Sequence, residues 1–76
     1  MKRMIQIWKV QINHTLMIDG RAEGFASTTL MIALYGPRNA ERVIRKTNRF
    51  LAERKQREQY RSPTIVSVVF DGWVDA

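Results

Sequence analysis

The first part of the chain alternates between apolar and polar side chains, which is the pattern of a β-strand. From residue 4 to residue 16, β-branched and aromatic residues are separated by single polar residues. The alternation is imperfect, because Ile5 and Ile7 have the opposite parity to Trp8 and to the apolar residues after it. The pattern therefore predicts a strand that either contains a bulge near Trp8 or is apolar on both faces.

A turn signal follows at Asp19 and Gly20, two residue types that tolerate the positive φ angles of a tight hairpin. A second, long strand with a bend or bulge is expected over residues 21–35. Within it, residues 27–35 also fit a short helix beginning at Ser27, since serine and threonine cap helices and the leucine, methionine and alanine that follow favour helix. On sequence grounds, both alternatives stay open.

Gly36 and Pro37 then interrupt the chain, and proline is well tolerated at the first position of a helix. Over residues 38–60, apolar or small side chains recur at the spacing that gathers them on one helix face, at ~100° per residue. These residues are Ala40, Val43, Ile44, Thr47, Phe50 and Leu51. Ser62 and Pro63 end the pattern, because the residue before a proline is pushed out of the helical region. One long amphipathic helix is predicted.

A last strand is expected over residues 64–74, and its apolar residues fall on both parities, which is typical of a central or covered strand. The predicted order is strand, strand, helix, strand. A right-handed crossover makes the third strand antiparallel to the first if the two are neighbours. We therefore expect one α+β domain over residues 1–76, with β-β-α-β order: a three-stranded, mainly antiparallel sheet with one long amphipathic helix packed on one face.

A single helix covers only one face of such a sheet, so the other face requires a partner. The chain has 76 residues and no cysteine. Because a disulfide or a thiolate zinc site is excluded, stability must come from packing or from self-association. We expect a homodimer formed through the uncovered face, with Trp8 and Trp73 as candidate interface residues.

The charge balance is strongly basic, with 13 Lys and Arg against 7 Asp and Glu, for a formal net charge of +6. Such a surplus favours polyanionic partners, which include nucleic acid, an anionic membrane surface and an acidic protein face. Polar residues interrupt the apolar stretch near the N-terminus, and the longest apolar run covers only residues 30–35. No membrane segment is predicted, and the expected location is the cytoplasm.

Candidate catalytic residues are few. His14 is the single histidine, and its place on a strand predicts a packed or hydrogen-bonded structural role, because a triad also needs a nucleophile and an acid around the base. Two carboxylate pairs remain, Asp71 with Asp75 and Glu53 with Glu58, but they lie on a terminal segment and a solvated helix. We expect no enzymatic activity, no cofactor, no metal and no small-molecule substrate.

A row of cations is the strongest functional signal in the chain. On the ~100° helical wheel, five cations form a ridge opposite the apolar face, pointing straight into water. They are Arg38, Arg42, Arg45, Lys46 and Arg49. Like charges three and four residues apart destabilise a helix, and guanidinium groups are shaped for phosphate, so the ridge suggests contact with an anion. The competing interpretation is an ordinary solvated helix face.

Two functions follow from these features. The first is a non-enzymatic basic protein that contacts nucleic-acid phosphates through the Arg-rich helix, with little sequence preference. Aromatic residues that could stack on unpaired bases lie on or near the strands: Trp8, Phe25, Tyr35, Phe70 and Trp73. The alternative is a phage or mobile-element inhibitor, anti-CRISPR-like, that binds a host defence or nucleic-acid-processing complex through protein contacts.

Overall fold

A computed structural model describes residues 4–75 and shows a three-stranded sheet carrying two helices. The elements, in chain order, are β1 (Met4–Ile18), β2 (Arg21–Leu34), α1 (Ala40–Leu51), α2 (Arg54–Gln59) and β3 (Arg61–Asp75). The strand order is β2-β1-β3, and both pairings are antiparallel. The predicted three-stranded antiparallel sheet is confirmed, and the short helix considered for residues 27–35 is wrong, since β2 continues to Leu34.

The hairpin between β1 and β2 turns where the sequence predicts it. Asp19 and Gly20 have φ angles of 51° and 76°, as a tight turn between twisted antiparallel strands requires. The pairing of the two strands then shifts once, between Thr15 and Met17. The second strand is therefore long and bulged, as expected.

The apolar pattern of β3 predicts a central or covered strand, but β3 is an edge strand, and Val66 and Val69 in it are more than half exposed. Its register against β1 shifts three times, and each shift reverses which parity faces the helices. One face of β3 consequently carries four apolar residues whose spacing is not strictly alternate: Ile65, Val68, Phe70 and Trp73. The mixed parity of β3 thus reflects its bulges together with apolar residues on the opposite face, such as Val69 and Val74. The edge position of β3 also accommodates Pro63.

The apolar residues of β1 lie on both of its faces, because its side chains alternate without interruption from Ile5 to His14. Ile7 pairs with Gly72 and Trp8 pairs with Phe70, so Asp71 is an extra residue in β3 at this point. The bulge predicted for β1 near Trp8 is therefore wrong, and the alternative, a strand that is apolar on both faces, is confirmed. Ile5 and Ile7 have the parity of the face away from the helices, where both are half-buried.

The core lies between the sheet and α1. Its buried apolar residues are Trp8, Val10, Ile12, Ile32, Leu34, Val43 and Leu51. The polar side chain of Thr47 is also fully buried, and its hydroxyl donates a hydrogen bond to the Val43 carbonyl oxygen at 2.8 Å. This bond satisfies the hydroxyl within the helix, so Thr47 packs at the core without an unpaired donor.

The helical segment is shorter than predicted. Helix α1 begins at Ala40 because the Asn39 side chain caps it, accepting hydrogen bonds from the backbone N–H of Glu41 at 2.9 Å and of Arg42 at 3.4 Å. Residue 38 therefore precedes the helix. The observed order is β-β-α-α-β, with α1 and α2 in place of one long helix.

Helix α1 ends at Leu51 because burial ends there. The residues that would continue its buried face are charged, and Glu53 takes an extended conformation with φ −64° and ψ 141°. The six residues of α2 include none that is buried. Packing of an apolar face supplies most of the stability of a helix. Helix α1 therefore ends where its apolar face ends, even though the residues that follow have high helix propensity.

The molecule is elongated, with extents of 49 × 21 × 19 Å. The 12 residues of α1 span about 18 Å, less than half the length of the sheet. The opposite face of the sheet has no helix against it, and Met31, Val69 and Val74 on that face are 55%, 55% and 46% exposed. No helix within residues 4–75 is long and apolar enough to cross a membrane.

Candidate anion-binding site

Helix α1 and the end of β2 enclose a pocket of about 380 Å³. The residues that line it are Leu34, Tyr35, Arg42, Arg45, Lys46 and Arg49. Four of these six are cations, and we refer to Arg42, Arg45, Lys46 and Arg49 as the basic cluster. The pocket is thus a concave surface with a concentrated positive charge.

Two members of the basic cluster are fixed by backbone carbonyls. Lys46 Nζ donates a hydrogen bond to the carbonyl oxygen of Ala33 on β2, and Arg42 Nη1 donates one to the carbonyl oxygen of Pro37 at 3.2 Å. A lysine ammonium has three N–H donors and a guanidinium has five. Each side chain is therefore oriented by the protein and retains donors for a ligand.

The loop beside the pocket is tied to the core through Gln6. The fully buried Gln6 side chain donates a hydrogen bond to the Gly36 carbonyl oxygen and accepts one from Trp8 Nε1 at 3.0 Å. Gly36 has a φ of +90°, and a Cβ there would lie 3.2 Å from Arg42 Nη1. Glycine therefore satisfies both the backbone conformation and the close approach of the arginine.

The charge of the basic cluster is not offset by ion pairs within the described part of the chain. There the salt bridges are Lys9–Asp71 at 3.3 Å and Arg54–Glu58 at 3.8 Å, and both lie outside the pocket. Cations spaced three and four residues apart repel one another along α1 and destabilise it by a few tenths of a kcal/mol per pair. An anion in the pocket would relieve this repulsion.

The position of Arg38 separates it from the other four residues of the predicted ridge. Its guanidinium carbon lies 3.8 Å from the centre of the Phe70 ring on β3, whereas the pocket is beside β2. The cap at Asn39 causes this separation, because Arg38 precedes the helix and does not follow its wheel. Arg45, Lys46 and Arg49 are exposed to water as expected, although Lys46 also reaches the Ala33 carbonyl oxygen on β2. Arg42 is half-buried and contacts the loop at Pro37.

Leu34 and Tyr35 line the pocket but are not among the site residues predicted from the sequence. Hydrophobic periodicity assigns both to the end of a strand. These two residues line the pocket only because one particular side of α1 packs against β2. No local sequence signal predicts which side of α1 that is. The apolar position immediately before Gly36 was the only available indication.

The structure corrects the expected positions of both tryptophans. Trp8 is only 6% exposed and belongs to the core under α1, because its parity on β1 faces the helices. Trp73 pairs with Gln6 and lies on the same helix-bearing face, where it is 47% exposed. Neither tryptophan is on the uncovered face, so that face must form any interface with other residues.

His14 has the packed position that the sequence predicts. It is 6% exposed, its Nδ1 donates to the Thr15 carbonyl oxygen at 3.3 Å, and its Nε2 is hydrogen-bonded to the Thr28 hydroxyl at 2.8 Å. Its ring also makes an edge contact with Tyr60, with 5.0 Å between ring centres. These contacts use both ring nitrogens. Residues 4–75 contain no group of three or more His, Cys, Asp or Glu side chains that could hold a metal ion.

Known proteins give no additional information about this site. No family model matches the chain, no curated protein matches it in sequence, and no solved structure matches its fold. The function must therefore be inferred from the geometry and charge of the site.

Proposed function

We propose that this protein is a non-enzymatic nucleic-acid-binding protein that contacts phosphates through the basic cluster, with little sequence preference. The observation that carries this proposal is the pocket itself: four cations converge on one concavity, and none of them forms a salt bridge within residues 4–75. A location in the cytoplasm is part of the same proposal.

The kind of cations present suits phosphate. Three of the four are arginines, whose planar guanidinium groups form paired hydrogen bonds with phosphate oxygens. Such contacts position a protein on the nucleic-acid backbone and do not distinguish bases. Low sequence preference follows from that chemistry.

The salt dependence of binding tests the proposal. We would measure the anisotropy of a labelled DNA duplex between 50 and 200 mM salt for the wild type and for single Ala variants of Arg42, Arg45 and Arg49. If four phosphates are neutralised, log affinity falls against log salt with a slope of about −3.6, and affinity drops roughly 150-fold over that range. Each substitution is expected to reduce the slope by about one unit.

Arg21→Ala is the matched control. Arg21 pairs with Ile18 at the hairpin turn, far from α1, and its loss removes the same unit of net charge. We expect it to change the slope little. Equal effects of Arg21→Ala and the cluster variants would show that only net charge matters, and absence of DNA and RNA binding at low salt would refute the proposal.

The alternative function, inhibition of a host defence or nucleic-acid-processing complex, predicts a different result. There the same arginines would pair with carboxylates of one protein partner, so DNA affinity would be negligible at low salt. A pulldown comparing the wild type with the Arg42→Glu, Arg45→Glu double variant would then lose a single partner. This outcome would replace nucleic acid with an acidic protein surface as the ligand of the cluster.

We also propose that the uncovered face of the sheet forms a homodimer. Met31, Val69 and Val74 on this face are about half exposed, and Lys9 pairs there with Asp71, so the charges of that pair cancel. Two copies joined through this face would hold their basic clusters on opposite outer sides, where mutual repulsion is screened by salt. Apolar contact could then outweigh the net charge of each chain.

Sedimentation at micromolar concentration tests the dimer. The wild type is expected to sediment at about twice the 8.9 kDa mass of the chain, and Val69→Glu should shift it to the monomer by placing a charge in the contact. Val69→Ile is the conservative control and should remain dimeric. A wild-type protein that is monomeric at every concentration would refute this part of the proposal.

A further inference from the structure

A second ligand-like surface lies on the other side of the loop that precedes α1. The Phe70 ring makes edge contacts with Trp8 on one side and Trp73 on the other, with ring centres 5.4 and 5.5 Å apart. The Arg38 guanidinium lies over the Phe70 ring at 3.8 Å. Trp8 is buried, but Trp73 is 47% exposed, so these contacts hold Trp73 in place while leaving much of its side chain accessible.

This surface and the basic cluster lie at the same end of the sheet. Gln6 of β1 pairs with Leu34, a residue of the pocket, on one side and with Trp73 on the other. Leu34 and Trp73 are therefore two strand spacings apart, about 9.5 Å. The loop over residues 35–39 runs between them, past Gln6 to Phe70, as its contacts with these two residues show.

We propose that Trp73, supported by Phe70 and Arg38, stacks on an unpaired nucleobase of the strand whose phosphates bind the basic cluster. This inference rests on the proposed function and narrows its ligand to single-stranded nucleic acid. Bases inside a duplex are stacked on one another and do not offer their faces, whereas single strands bind proteins by stacking on aromatic side chains.

The spacing of the two surfaces suits this ligand. Stacked nucleotides advance about 3.4 Å along one strand, so the separation of about 9.5 Å between the Leu34 and Trp73 backbones corresponds to about three nucleotides. A short single strand can therefore reach from the Leu34 side of the pocket, across the loop, to Trp73. The exposed guanidinium of Arg38 adds a second planar group on which a base can stack, as arginine does in many single-strand sites.

The experiment compares three probes of equal length: an oligothymidylate of about a dozen nucleotides, a duplex, and an abasic oligonucleotide that has phosphates but no bases. Wild-type protein is expected to bind oligothymidylate more tightly than either of the others. Trp73→Leu should weaken oligothymidylate binding roughly 5- to 150-fold. It should leave binding of the abasic probe and the salt slope unchanged, because no phosphate contact is lost.

Phe25→Leu is the matched control for an exposed aromatic side chain. Phe25 is 88% exposed and pairs with Thr15, nine residues or about 30 Å along β1 from Gln6. This variant should bind all three probes as the wild type does. Arg38→Ala provides a second test that does not remove an aromatic contact from the sheet, and it should weaken oligothymidylate several-fold.

Tryptophan fluorescence reports the stacking directly, since the chain has two tryptophans and only Trp73 is accessible. Oligothymidylate should quench wild-type emission, while Trp73→Leu, which retains buried Trp8, should show no quenching. Equal affinity for oligothymidylate and the abasic probe, with Trp73→Leu indistinguishable from the wild type, would refute the stacking site and leave phosphate binding intact. Failure of all three probes to bind would refute both proposals.

Discussion

The two faces of the sheet are made from the same three strands but differ in how far the chain covers them. On the helix-bearing face, Val10 and Ile12 have no exposed surface. On the opposite face, Met31 and Val69 are 55% exposed. A chain of this size has residues enough for one helical layer, so one face becomes the core and the other is left to solvent or to a partner.

The distribution of charged side chains also differs between the two faces of the sheet. The basic cluster and Arg38 belong to the helix-bearing side, where the pocket and the Trp73 surface lie. On the uncovered face, Lys9 is paired with Asp71. This division is the reason that we propose a polyanion as the ligand of the helix-bearing side and a second copy as the partner of the uncovered face.

Among the substitutions that test this difference between the two faces, one in the core should have the largest effect on stability. Ile12→Ala removes a fully buried side chain and leaves a cavity, so we expect the free energy of unfolding to fall by about 2–5 kcal/mol. Val69→Ala on the uncovered face should cost less than about 0.5 kcal/mol in dilute protein. Urea unfolding at low concentration measures both.

Equal costs for these two substitutions would contradict the assignment of core and surface. A cost of Val69→Ala that grows with protein concentration would instead show that the uncovered face is buried in a dimer, because association then contributes to stability. The same pair of variants thus tests the fold and the proposed self-association.

A smaller effect is expected at the start of the helix that covers the core. Asn39→Ala removes the side chain that caps two N–H groups of α1 and should cost about 1 kcal/mol. The matched control is Asn48→Ala, at an exposed position within the same helix, where alanine is the better helix former and no loss is expected. Thermal unfolding followed by circular dichroism distinguishes them, and equal losses would show that Asn39 does not act as a cap.

The strands were predictable because alternation and the Asp19–Gly20 turn are local signals. The end of α1 could not be predicted in this way, because the residues after Leu51 have high helix propensity and the helix ends only because they are not buried. Likewise, the position of β3 at the sheet edge was hidden by bulges that place both parities on one face. Local patterns therefore predict which helices and strands exist. The ends of these elements and the order of the strands in the sheet depend on packing.

The candidate site was predictable to the extent that it depends on helix geometry. Helical spacing brings Arg42, Arg45, Lys46 and Arg49 together, and these four line the pocket. A helical wheel also places Arg38 with them, because the wheel assumes that the helix includes residue 38, whereas Asn39 caps it. The sequence predicts the wrong face for Trp73, because the face of β3 on which Trp73 lies depends on the register shift near Gly72.

The smallest expected effect concerns the ion pair on the uncovered face. Lys9 and Asp71 are 3.3 Å apart, and their side chains are 53% and 40% exposed. Water and salt screen such a pair, so a double-mutant cycle with Lys9→Ala and Asp71→Ala should give a coupling of only about 0.2–1 kcal/mol in the monomer. High salt should reduce it further.

The same cycle responds to whatever covers this face. If a second copy packs against it, the pair loses solvent, and removing one partner leaves an uncompensated charge in the interface. The single variants should then destabilise the protein more at high protein concentration than at low, and each should shift sedimentation towards the monomer. A coupling that stays small at every concentration, in a protein that nonetheless dimerises, would place the dimer contact elsewhere, at the open edges of β2 or β3.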